Sequence, residues 1–531
     1  MLYRDTKLIA QDDTLEEAAH ALANGCLVSF PTETVYGLGA NAFDGEAVSS
    51  IFAAKSRPAD NPLIVHIAER AMLTQLVIDV PDFAQPLMDA FWPGPLTLVM
   101  KKSNQIPYEV TAGLETVAIR MPAHPIALRL IALAGVPVAA PSANISGKPS
   151  PTSAADVVED LTGRVDFIID GGASDVGLES TVLDVTVFPP VILRPGSVTA
   201  AQIAAVAGCA TAPEASSAPA ESAASEPPQN APTAVPTAAP KAPGMKYRHY
   251  APNAPMTLVT GDPLAMVRAI MHAAHACTAT QKQAGIMATD QTLPFYFAKG
   301  PLVLSMGDRA QPATIASRLF SVLRDFDRST VDAILAEAVD GANVGDAIMD
   351  RLTKAAAGHV VAASAPASAL ASASTPAPTP TPFRVLFVCT GNTCRSSMAE
   401  GIMKKLAAEA GLAIHVASAG VSASDGACAS EHAIIAAQDL YDVDLTSHRA
   451  RLLTQDILNE SDLVLTMESR HQDYIAFYFP ESAYKTALLS LFIGGDAFGV
   501  RDPFGGDLEE YKETAQDIHA KLQLLTKILH I

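Results

Sequence analysis

Two segments of very low complexity most strongly limit how this 531-residue chain can fold. Residues 210–243 consist almost entirely of Ala, Pro, Ser, Thr and Glu, and residues 362–382 repeat that composition. Such segments bury too little apolar surface to offset the entropy lost on ordering, so we expect disordered tethers there. The rest of the chain is long enough for several separate hydrophobic cores. The sequence therefore predicts three folded blocks joined by Ala/Pro-rich linkers.

All three blocks combine strand-like and helix-like periodicity, which predicts a multidomain α/β protein. The first block alternates β-like runs with helical stretches such as 45–55, as expected of a twisted, partly antiparallel sheet. The second block has the βαβ rhythm of a small, Rossmann-like open parallel sheet. The third begins with an apolar strand and ends in a helix near 507–530, which is typical of a doubly wound parallel sheet. The predicted boundaries are 1–208 for the first block, 209–249 for a linker, 250–358 for the second block, 359–382 for a second linker and 383–531 for the third.

The composition favours a soluble protein of a reducing compartment. Hydrophobic residues make up 49% and charged residues 17% of the chain, as in globular proteins. No apolar run approaches the roughly 20 residues that span a bilayer, and residues 1–30 lack the pattern of a secretory signal. The six cysteines form no Cys-x-x-Cys pair, which is typical of free thiols. We therefore expect a cytoplasmic protein without a membrane partner.

The formal net charge of −20 weighs against tight, direct binding of nucleic acid. Phosphate backbones are bound through clustered Lys and Arg, which an acidic chain has in deficit. A local basic patch is still compatible with this balance. The first block could thus be an RNA-binding module instead of an enzyme. One of the blocks could also be a degenerate interaction domain without activity.

In the third block, a Cys and an Arg are separated by five residues where a strand meets a helix. Residues 385–397 read Val-Leu-Phe-Val-Cys-Thr-Gly-Asn-Thr-Cys-Arg-Ser-Ser, so the loop runs from Cys389 to Arg395. A loop of this length can direct backbone N–H groups, a helix dipole and a guanidinium at the oxygens of one phosphoryl group. The thiolate is the nucleophilic form of Cys, and Asp502 on a turn-rich loop is a candidate proton donor. These residues predict a cysteine-dependent phosphatase.

A cysteine that ends a core strand is more often a small buried hydrophobe than a nucleophile. Here Arg395, the flanking elements and Asp502 accompany Cys389, so we favour the catalytic interpretation. Cys394 leaves two alternatives open. It could form a reversible disulfide with Cys389 that protects against over-oxidation, or it could simply pack.

The third block resembles the low-molecular-weight protein tyrosine phosphatases over essentially its whole length. Tyrosine-specific members usually carry a bulky aliphatic residue where this chain has Thr393, and an aromatic pair where it has Phe504 and Gly505. Thr393 and the Asp-Pro-Phe-Gly-Gly run resemble the protein-arginine-phosphatase branch, which implies a phosphoarginine protein as substrate and no cofactor. Phosphotyrosine stays the alternative. The motifs that carry the resemblance are the Cys loop and residues 418–420, 447–449, 462–467 and 502–503.

In the first block, polar and cationic residues recur at the ends of predicted strands. Thr32 and Thr34 follow a buried strand, and Lys55 and Arg57 are two cations that can converge on a polyphosphate. Each residue alone has an ordinary structural explanation, such as a solvated face, a turn cap or a core histidine. Together they indicate a site for a small polar substrate. Further members of this set are Asn61, His66, Arg120, Ser142, Asn144 and Arg194.

The first block resembles the YrdC-type threonylcarbamoyl-adenylate synthases over nearly all of residues 10–208. The resemblance implies condensation of L-threonine, bicarbonate and ATP into threonylcarbamoyl-AMP, pyrophosphate and water, for a tRNA modification completed by partner proteins. It also implies Mg²⁺ accompanying ATP, with phosphate oxygens as most of its ligands. The supporting motifs are residues 32–39, 55–58, 61–63, 91–97, 118–122, 140–147, 180–181 and 194–196. The implied L-threonine-binding residues are Thr34, His66, Arg120, Ala140 and Ser180, and the implied ATP-binding residues are Lys55, Arg57, Asn61, Thr116, Ser142, Asn144, Ser150, Arg194 and Tyr250.

The second block resembles the extra C-terminal domain of the longer members of that family. Residues 244–252 resemble their interdomain segment, so Tyr250 is implied as a lid residue over the nucleotide. A stabilising role, a regulatory role and a ligand site all stay open for this block. Because a disordered tether transmits no conformational signal by itself, we expect the two activities to be independent.

Overall fold

The computed structural model describes residues 4–10, 15–211, 250–298, 300–364 and 382–531. They form two compact units. The first comprises Met1–Asn253, Ala310–Arg328 and Val339–Gly358, and the second comprises Ala254–Arg309, Ser329–Ala338 and His359–Ile531. The predicted second block thus contributes to both units. Most of the two predicted linkers, including residues 244–249 of the lid segment, lies outside the described residues.

The described residues of the first block form ten strands and eight α-helices. The strands are β1 (Lys7–Ile9), β2 (Val28–Phe30), β3 (Gly37–Asn41), β4 (Ile64–His66), β5 (Leu96–Lys101), β6 (Thr116–Arg120), β7 (Val138–Ala139), β8 (Phe167–Ile169), β9 (Thr181–Asp184) and β10 (Val191–Arg194). The helices are α1 (Glu16–Ala23), α2 (Gly45–Lys55), α3 (Leu73–Leu76), α4 (Ala84–Phe91), α5 (Tyr108–Thr111), α6 (Pro125–Ala134), α7 (Ala154–Leu161) and α8 (Ala200–Ala207).

These strands form one mixed sheet in the order β1-β8-β2-β3-β7-β4-β6-β5-β9-β10. The sheet contains both antiparallel pairs, such as β2 with β3, and parallel pairs, such as β4 with β6. Neighbouring strand residues enter different buried clusters: Val138 packs in one and Ala139 in the other. Because successive side chains point to opposite faces, both faces of the sheet are covered. The predicted partly antiparallel α/β sheet is confirmed.

Helix α2 ends where the chain must turn into the Lys-Ser-Arg-Pro sequence. The Asp44 side chain caps its first turn by accepting hydrogen bonds from the N–H groups of Glu46 and Ala47. At the other end, Ser56 adopts a left-handed conformation with φ of 52°, which stops the helix. Lys55 therefore lies on the last turn of α2, while Arg57 lies on the loop that follows it.

The second block contributes four strands to a five-stranded sheet in the order β13-β12-β14-β11-β15, with every pair parallel. The fifth strand, β15, lies in residues 359–382, predicted as a linker, because its apolar residues pair with β11 and extend the sheet past the predicted boundary. The prediction of a small open parallel sheet is confirmed. Its strands belong to the second unit, whereas its last two helices belong to the first. The elements are β11 (Met256–Thr260), α9 (Pro263–Ala279), β12 (Ala284–Thr289), β13 (Leu302–Gly307), α10 (Pro312–Asp327), β14 (Ala333–Glu337), α11 (Val344–Ala355) and β15 (Val360–Ala362).

The third block is built on a four-stranded parallel sheet in the order β17-β16-β18-β19. The strand order reverses at β16, and in doubly wound sheets ligands bind at the carboxyl end of such a strand. This confirms the predicted architecture. The elements are β16 (Phe383–Cys389), α12 (Arg395–Glu409), β17 (Ile414–Gly420), α13 (Glu431–Tyr441), α14 (Gln455–Asn459), β18 (Leu463–Thr466), α15 (Ser469–Tyr478), β19 (Thr486–Leu488), α16 (Leu489–Phe492) and α17 (Leu508–Leu529).

Within the second unit, helix α9 packs directly against the third block. Arg268 on α9 forms a two-pronged ion pair with Asp462, with N–O distances of 2.7 and 2.8 Å. The His275 ring stacks on Tyr484 at a centroid distance of 4.3 Å. Phe295 lies edge-on to Phe492 with ring centroids 5.4 Å apart. The two blocks are thus joined by packing as well as by the chain between them.

Candidate active sites

The carboxyl ends of several strands of the large sheet meet at one pocket in the first unit. His66 ends β4 and Arg120 ends β6, and the two residues are directly paired in the parallel register. The loop after β2 brings Thr34 to the same place, and the segment after β7 brings Ser142. The pocket is concave and combines apolar side chains with a few convergent polar and charged ones, as is typical of small-molecule sites.

Arg120 organises one end of this pocket. Its Nη1 donates to the Thr34 hydroxyl at 2.8 Å, its Nε donates to the Gly94 carbonyl at 3.1 Å, and its Nη2 lies 2.6 Å from Oε1 of Glu33. Only 3% of Arg120 is exposed. A fixed, buried guanidinium next to a hydroxyl is suited to bind a small carboxylate-bearing molecule.

His66 is a neutral imidazole in this pocket. Burial, followed by the positive charge of Arg120, lowers the pKa of His66 to about 3. The ring therefore carries no charge at neutral pH and can exchange hydrogen bonds in either direction. A second cation at this end of the pocket is thereby avoided.

Cationic side chains surround the other end of the pocket. The Arg194 guanidinium donates from Nη2 to the Ser180 carbonyl at 2.9 Å and to the Ser180 hydroxyl at 3.2 Å. Arg57 donates to the Asn61 carbonyl at 3.2 Å, and burial lowers its pKa to about 10, so it stays charged at neutral pH. The carboxylates of Asp60, near Arg57, and Glu179, near Arg194, offset part of this positive charge. Two guanidinium groups held by backbone carbonyls in one pocket suit a polyphosphate.

Lys55 lies behind the pocket wall rather than in it. Its Nζ donates to the carbonyls of Ser142 and Asn144, the latter at 2.5 Å. Burial, assisted by the nearby charge of Arg57, holds the pKa of Lys55 well below its usual value. Lys55 therefore fixes the turn that carries Ser142 and Asn144 toward the pocket.

Most of the implied synthase residues come together around this single pocket. Asn61, Lys55 and Thr116 do not line it. Thr116 begins β6, so it lies roughly 13 Å from Arg120 along the strand, and the role of each of the three stays a prediction. The implied residues that do line the pocket, among others, are Thr34, Arg57, His66, Arg120, Ala140, Ser142, Asn144, Ser150, Ser180, Arg194 and Tyr250.

Sequence reasoning missed two carboxylates at this pocket, Glu33 and Glu179. Glu179 lines the pocket, and Glu33 adjoins it through its ion pair with Arg120. Both side chains are almost fully buried. Each lies next to a predicted site residue, Glu33 before Thr34 and Glu179 before Ser180, and that adjacency was the available signal. Tyr250, also in the wall, has a left-handed φ of 63° and packs on Phe320 at 5.1 Å.

The phosphatase loop of the third block connects the end of β16 to the start of α12. Asn392 has a left-handed φ of 55° and its N–H points at the Cys389 sulfur, 3.3 Å away. The Ser396 hydroxyl lies 3.0 Å from the same sulfur. The Asn392 side chain also bonds to Ser396 and Ser418, at 2.9 and 2.7 Å. The loop is thus preformed, with the Asn392 N–H directed at the sulfur.

Arg395 joins this loop to the loop of the predicted proton donor. Its Nη2 donates to Oδ2 of Asp502 at 2.6 Å, and its Nη1 donates to the Val500 carbonyl at 3.0 Å and pairs with Glu468. Arg470 pairs with Glu468 at 2.8 Å and approaches Asp502 at 3.4 Å. Sequence reasoning did not identify Glu468 or Arg470, although both follow the β18 motif that it used.

Thr393 and Cys394 lie on the same loop with different surroundings. The Thr393 side chain is half-buried, and its hydroxyl is 3.6 Å from the Cys394 sulfur. Cys394 Sγ lies 3.2 Å from the Tyr511 hydroxyl. Burial, followed by the contact with Cys394, raises the pKa of Tyr511 to about 12. Both loop cysteines are free thiols, and the two alternatives for Cys394 stay open.

Over the ranges given above, no cluster of three or more His, Cys, Asp or Glu side chains is arranged to hold a metal ion. In the same ranges, no helix is both long and apolar enough to cross a membrane.

The two sites define two classes of protein: an α/β domain with a polyanion pocket, and a doubly wound domain with a Cys-x5-Arg phosphatase loop. Family models match both. The Sua5/YciO/YrdC model, described as telomere recombination, matches residues 20–196, and the C-terminal domain of threonylcarbamoyl-AMP synthase matches 198–357. The low molecular weight phosphotyrosine protein phosphatase model matches residues 384–530.

Individual relatives agree with these matches. The threonylcarbamoyl-AMP synthase of Bacillus subtilis is 46% identical over 356 residues, which cover 67% of this chain and 96% of that protein. A crystal structure of Pyrococcus abyssi Sua5 complexed with L-threonine aligns with a TM-score of 0.60 and 44% identity, covering 67% of this chain and 99% of the other. The protein-arginine-phosphatase of B. subtilis is 39% identical over 146 residues, which cover 27% of this chain and 95% of that protein. This chain belongs to the threonylcarbamoyl-AMP synthase family and carries, at its C-terminal end, an enzyme domain of the low molecular weight phosphatase family.

Proposed function

We propose that the first unit makes threonylcarbamoyl-AMP from L-threonine, bicarbonate and ATP, releasing pyrophosphate and water. One observation carries this proposal: a single pocket has a buried guanidinium and a hydroxyl at one end, Arg120 and Thr34, and two further guanidinium groups at the other, Arg57 and Arg194. The first end suits the carboxylate of threonine. The second suits the phosphates of ATP, which bring Mg²⁺ with them as part of the substrate.

Charge development explains why the cations lie at the nucleotide end. When the carbamoyl oxygen attacks the α-phosphorus, negative charge builds on the departing pyrophosphate. Arg57 and Arg194 donate hydrogen bonds to backbone carbonyls and, in this proposal, their guanidinium groups also face that leaving group. The neutral His66 ring, beside Arg120, leaves the carbamate end with less positive charge.

The test is the release of radiolabelled pyrophosphate from γ-labelled ATP by the full-length chain. Product must require both L-threonine and bicarbonate, and Arg57→Ala must abolish it. ATP or RNA binding without threonine-dependent turnover would instead favour the alternative of a binding module. We place the enzyme in the cytoplasm, where tRNA-modifying proteins would use the adenylate.

We propose that the third block removes phosphate from phosphoarginine in proteins. Cys389 Sγ attacks phosphorus, the P–N bond breaks, and Asp502 gives its proton to the leaving guanidino nitrogen. Water then attacks the phosphocysteine with Asp502 as base, the S–P bond breaks, and inorganic phosphate leaves. Support comes from the preformed Cys389 loop and the hydrogen-bonded pair of Arg395 and Asp502.

Thr393 is the residue that favours phosphoarginine over phosphotyrosine in this proposal. Its hydroxyl lies on the phosphatase loop, where it can bond to a polar guanidino nitrogen and narrow the space for a phenol ring. A comparison of kcat/KM on phosphoarginine and phosphotyrosine versions of one protein tests it. If the phosphotyrosine version is the better substrate, the arginine assignment is wrong and the phosphatase assignment stands.

A further inference from the structure

Helix α11 of the second block delivers a fully buried arginine to the wall of the synthase pocket. Arg351 has 0% of its surface exposed. Its Nε donates to Oε2 of Glu179 at 3.1 Å, its Nη2 approaches the Glu179 carbonyl at 3.4 Å, and its Nη1 donates to the Pro195 carbonyl at 2.5 Å. Asp350, its neighbour on the helix, lies 3.0 Å from Nη1. All of these residues belong to the first unit.

The partners of Arg351 are themselves connected to the residues of the nucleotide end. Oε1 of Glu179 accepts a hydrogen bond from the Ser150 hydroxyl at 2.6 Å. Glu179 directly precedes Ser180, whose carbonyl accepts from Arg194. Pro195, the other partner, directly follows Arg194. One guanidinium thus fixes three pieces of chain, which carry Ser150, Ser180 and Arg194.

The contact between Arg351 and Glu179 is electrostatic, because Glu179 is charged. Burial by itself would favour the protonated acid, but Arg351, then Arg194, and the hydrogen bond from Ser150 hold the pKa of Glu179 below its ordinary value. Glu179 is therefore a carboxylate, able to accept from Ser150. An uncompensated carboxylate in the wall of a polyphosphate pocket would repel the ligand, and Arg351 supplies the compensating charge.

We propose that Arg351 is a positioning residue for nucleotide binding, which orients Glu179, Ser150 and Arg194 and cancels the charge of Glu179. The inference rests on the proposed synthase function. It gives the second block a specific task in that function: Arg351 on helix α11 supports, from outside the pocket, the residues that form its nucleotide end. Arg351 itself does not line the pocket.

The test compares Arg351→Met with the wild-type full-length chain in the pyrophosphate assay. We expect the KM for ATP to rise at least about tenfold, with a smaller change in kcat, because the lost contacts act on nucleotide binding. The Kd for L-threonine, measured by calorimetry, changes less than the KM for ATP, because Ser180 is the one implied threonine-binding residue that adjoins a partner of Arg351. Arg351→Lys keeps the positive charge but loses the planar, multidentate hydrogen bonding of the guanidinium. We therefore expect its KM for ATP to lie between those of the wild type and Arg351→Met.

Arg328→Met is the matched control. Arg328 directly follows helix α10 of the second block. Like Arg351, it pairs with carboxylates of the first block, at 2.6 Å from Asp156 and 2.9 Å from Glu159. It does not line the pocket or touch a residue that does. We expect its KM for ATP to match the wild type.

A second substitution separates the charge effect from simple damage to the fold. In Glu179→Gln combined with Arg351→Met, no carboxylate is left unpaired, so the KM for ATP returns to within about threefold of the wild type.

Two results would contradict the inference. In one, Arg351→Met lowers kcat or the folded fraction while the KM for ATP stays unchanged. In the other, the double variant binds ATP no better than the single one. If the wild type releases no threonine-dependent pyrophosphate, the proposed function fails instead, and calorimetric MgATP binding to wild type and Arg351→Met still decides the role of Arg351.

Discussion

The Nη2 atom of Arg395 lies 2.6 Å from Oδ2 of Asp502, so the arginine of the phosphatase loop is bonded to the predicted general acid 107 residues later in the chain. Glu468 and Arg470 extend this pair into a group of two arginines and two carboxylates. A phosphoryl group that binds Arg395 must compete with Asp502 for the same guanidinium. In the proposed mechanism, phosphoryl binding therefore frees Asp502 to face the leaving group.

Asp502→Asn should lower kcat on phosphoarginine protein by about 10²–10⁴-fold, because the amide cannot donate the required proton as an acid. The loss should be smaller on p-nitrophenyl phosphate, whose leaving group needs little protonation. Steady-state kinetics with both substrates measures the difference. Equal losses on the two substrates would contradict the role of Asp502 as general acid. Arg501→Gln, which removes a more exposed neighbouring charge that pairs with Glu510, is the control.

Cys389→Ser should abolish the phosphatase activity and leave pyrophosphate release within about twofold of wild type, because the nucleophile is lost without change in volume. Arg57→Ala should do the reverse. Both activities are measured on one preparation of each full-length variant. A loss of both activities in either variant, with an unchanged melting temperature, would show that the sites depend on each other.

Thr393→Ile should shift the phosphatase toward phosphotyrosine. The substitution removes the hydroxyl that can bond to a guanidino nitrogen and provides an apolar surface for a phenol ring. We expect the ratio of kcat/KM for phosphoarginine to that for phosphotyrosine to fall at least about tenfold, as for loss of a hydrogen bond to a charged group. Thr393→Ser, which retains the hydroxyl, should keep the wild-type preference.

The first unit should lose stability as the pH falls below about 6.5, in part because of His66. Its pKa is lowered to about 3 in the folded chain, so the unfolded state binds more protons between these values and the free energy of unfolding decreases with falling pH. The contribution of this one residue amounts to at most about 1.4 kcal/mol per pH unit. Urea unfolding of wild type and His66→Gln at pH 7 and pH 5 measures it. The variant should lose less stability over this interval.

Arg268→Met should loosen the packing of helix α9 on the third block, because it leaves Asp462 without its cation. Hydrogen exchange should become faster in β18 and in the 480–492 segment, which includes Tyr484 and Phe492. Arg384→Met is the control, since its side chain is more exposed and its pair with Glu460 is longer, at 3.7 Å. Unchanged exchange in Arg268→Met would mean that the aromatic contacts alone hold the two blocks together.

Contiguous features were readable without the fold. The Cys-x5-Arg spacing lies in one short segment, and the strand and helix that flank it follow from local periodicity, as found at Phe383–Cys389 and Arg395–Glu409. The helix predicted over 45–55 is observed at Gly45–Lys55, because Asp44 caps its start and Lys-Ser-Arg-Pro ends it. Such features depend on neighbours in the chain, and neighbours are visible in a sequence.

The sequence did not predict that the second block would be divided between two compact units. Its strands and its last two helices are separated by a few residues, and periodicity predicts each element but not the surface on which it packs. The contact of Arg351 with Glu179 spans 172 residues, and that of Arg268 with Asp462 spans 194. No composition or spacing rule connects partners so far apart.

The amino-acid order thus determined the element types, the phosphatase loop and the residue types that handle oxyanions, because each depends on short-range geometry and side-chain chemistry. The fold alone determined which of those side chains share a pocket, which charges are neutralised, and which buried residues support them from behind. Burial, and then the strand register that places Arg120 beside His66, lower the pKa of the ring and keep it neutral. Packing of α11 places Arg351 on Glu179, an outcome of long-range burial and charge pairing that no local pattern encodes.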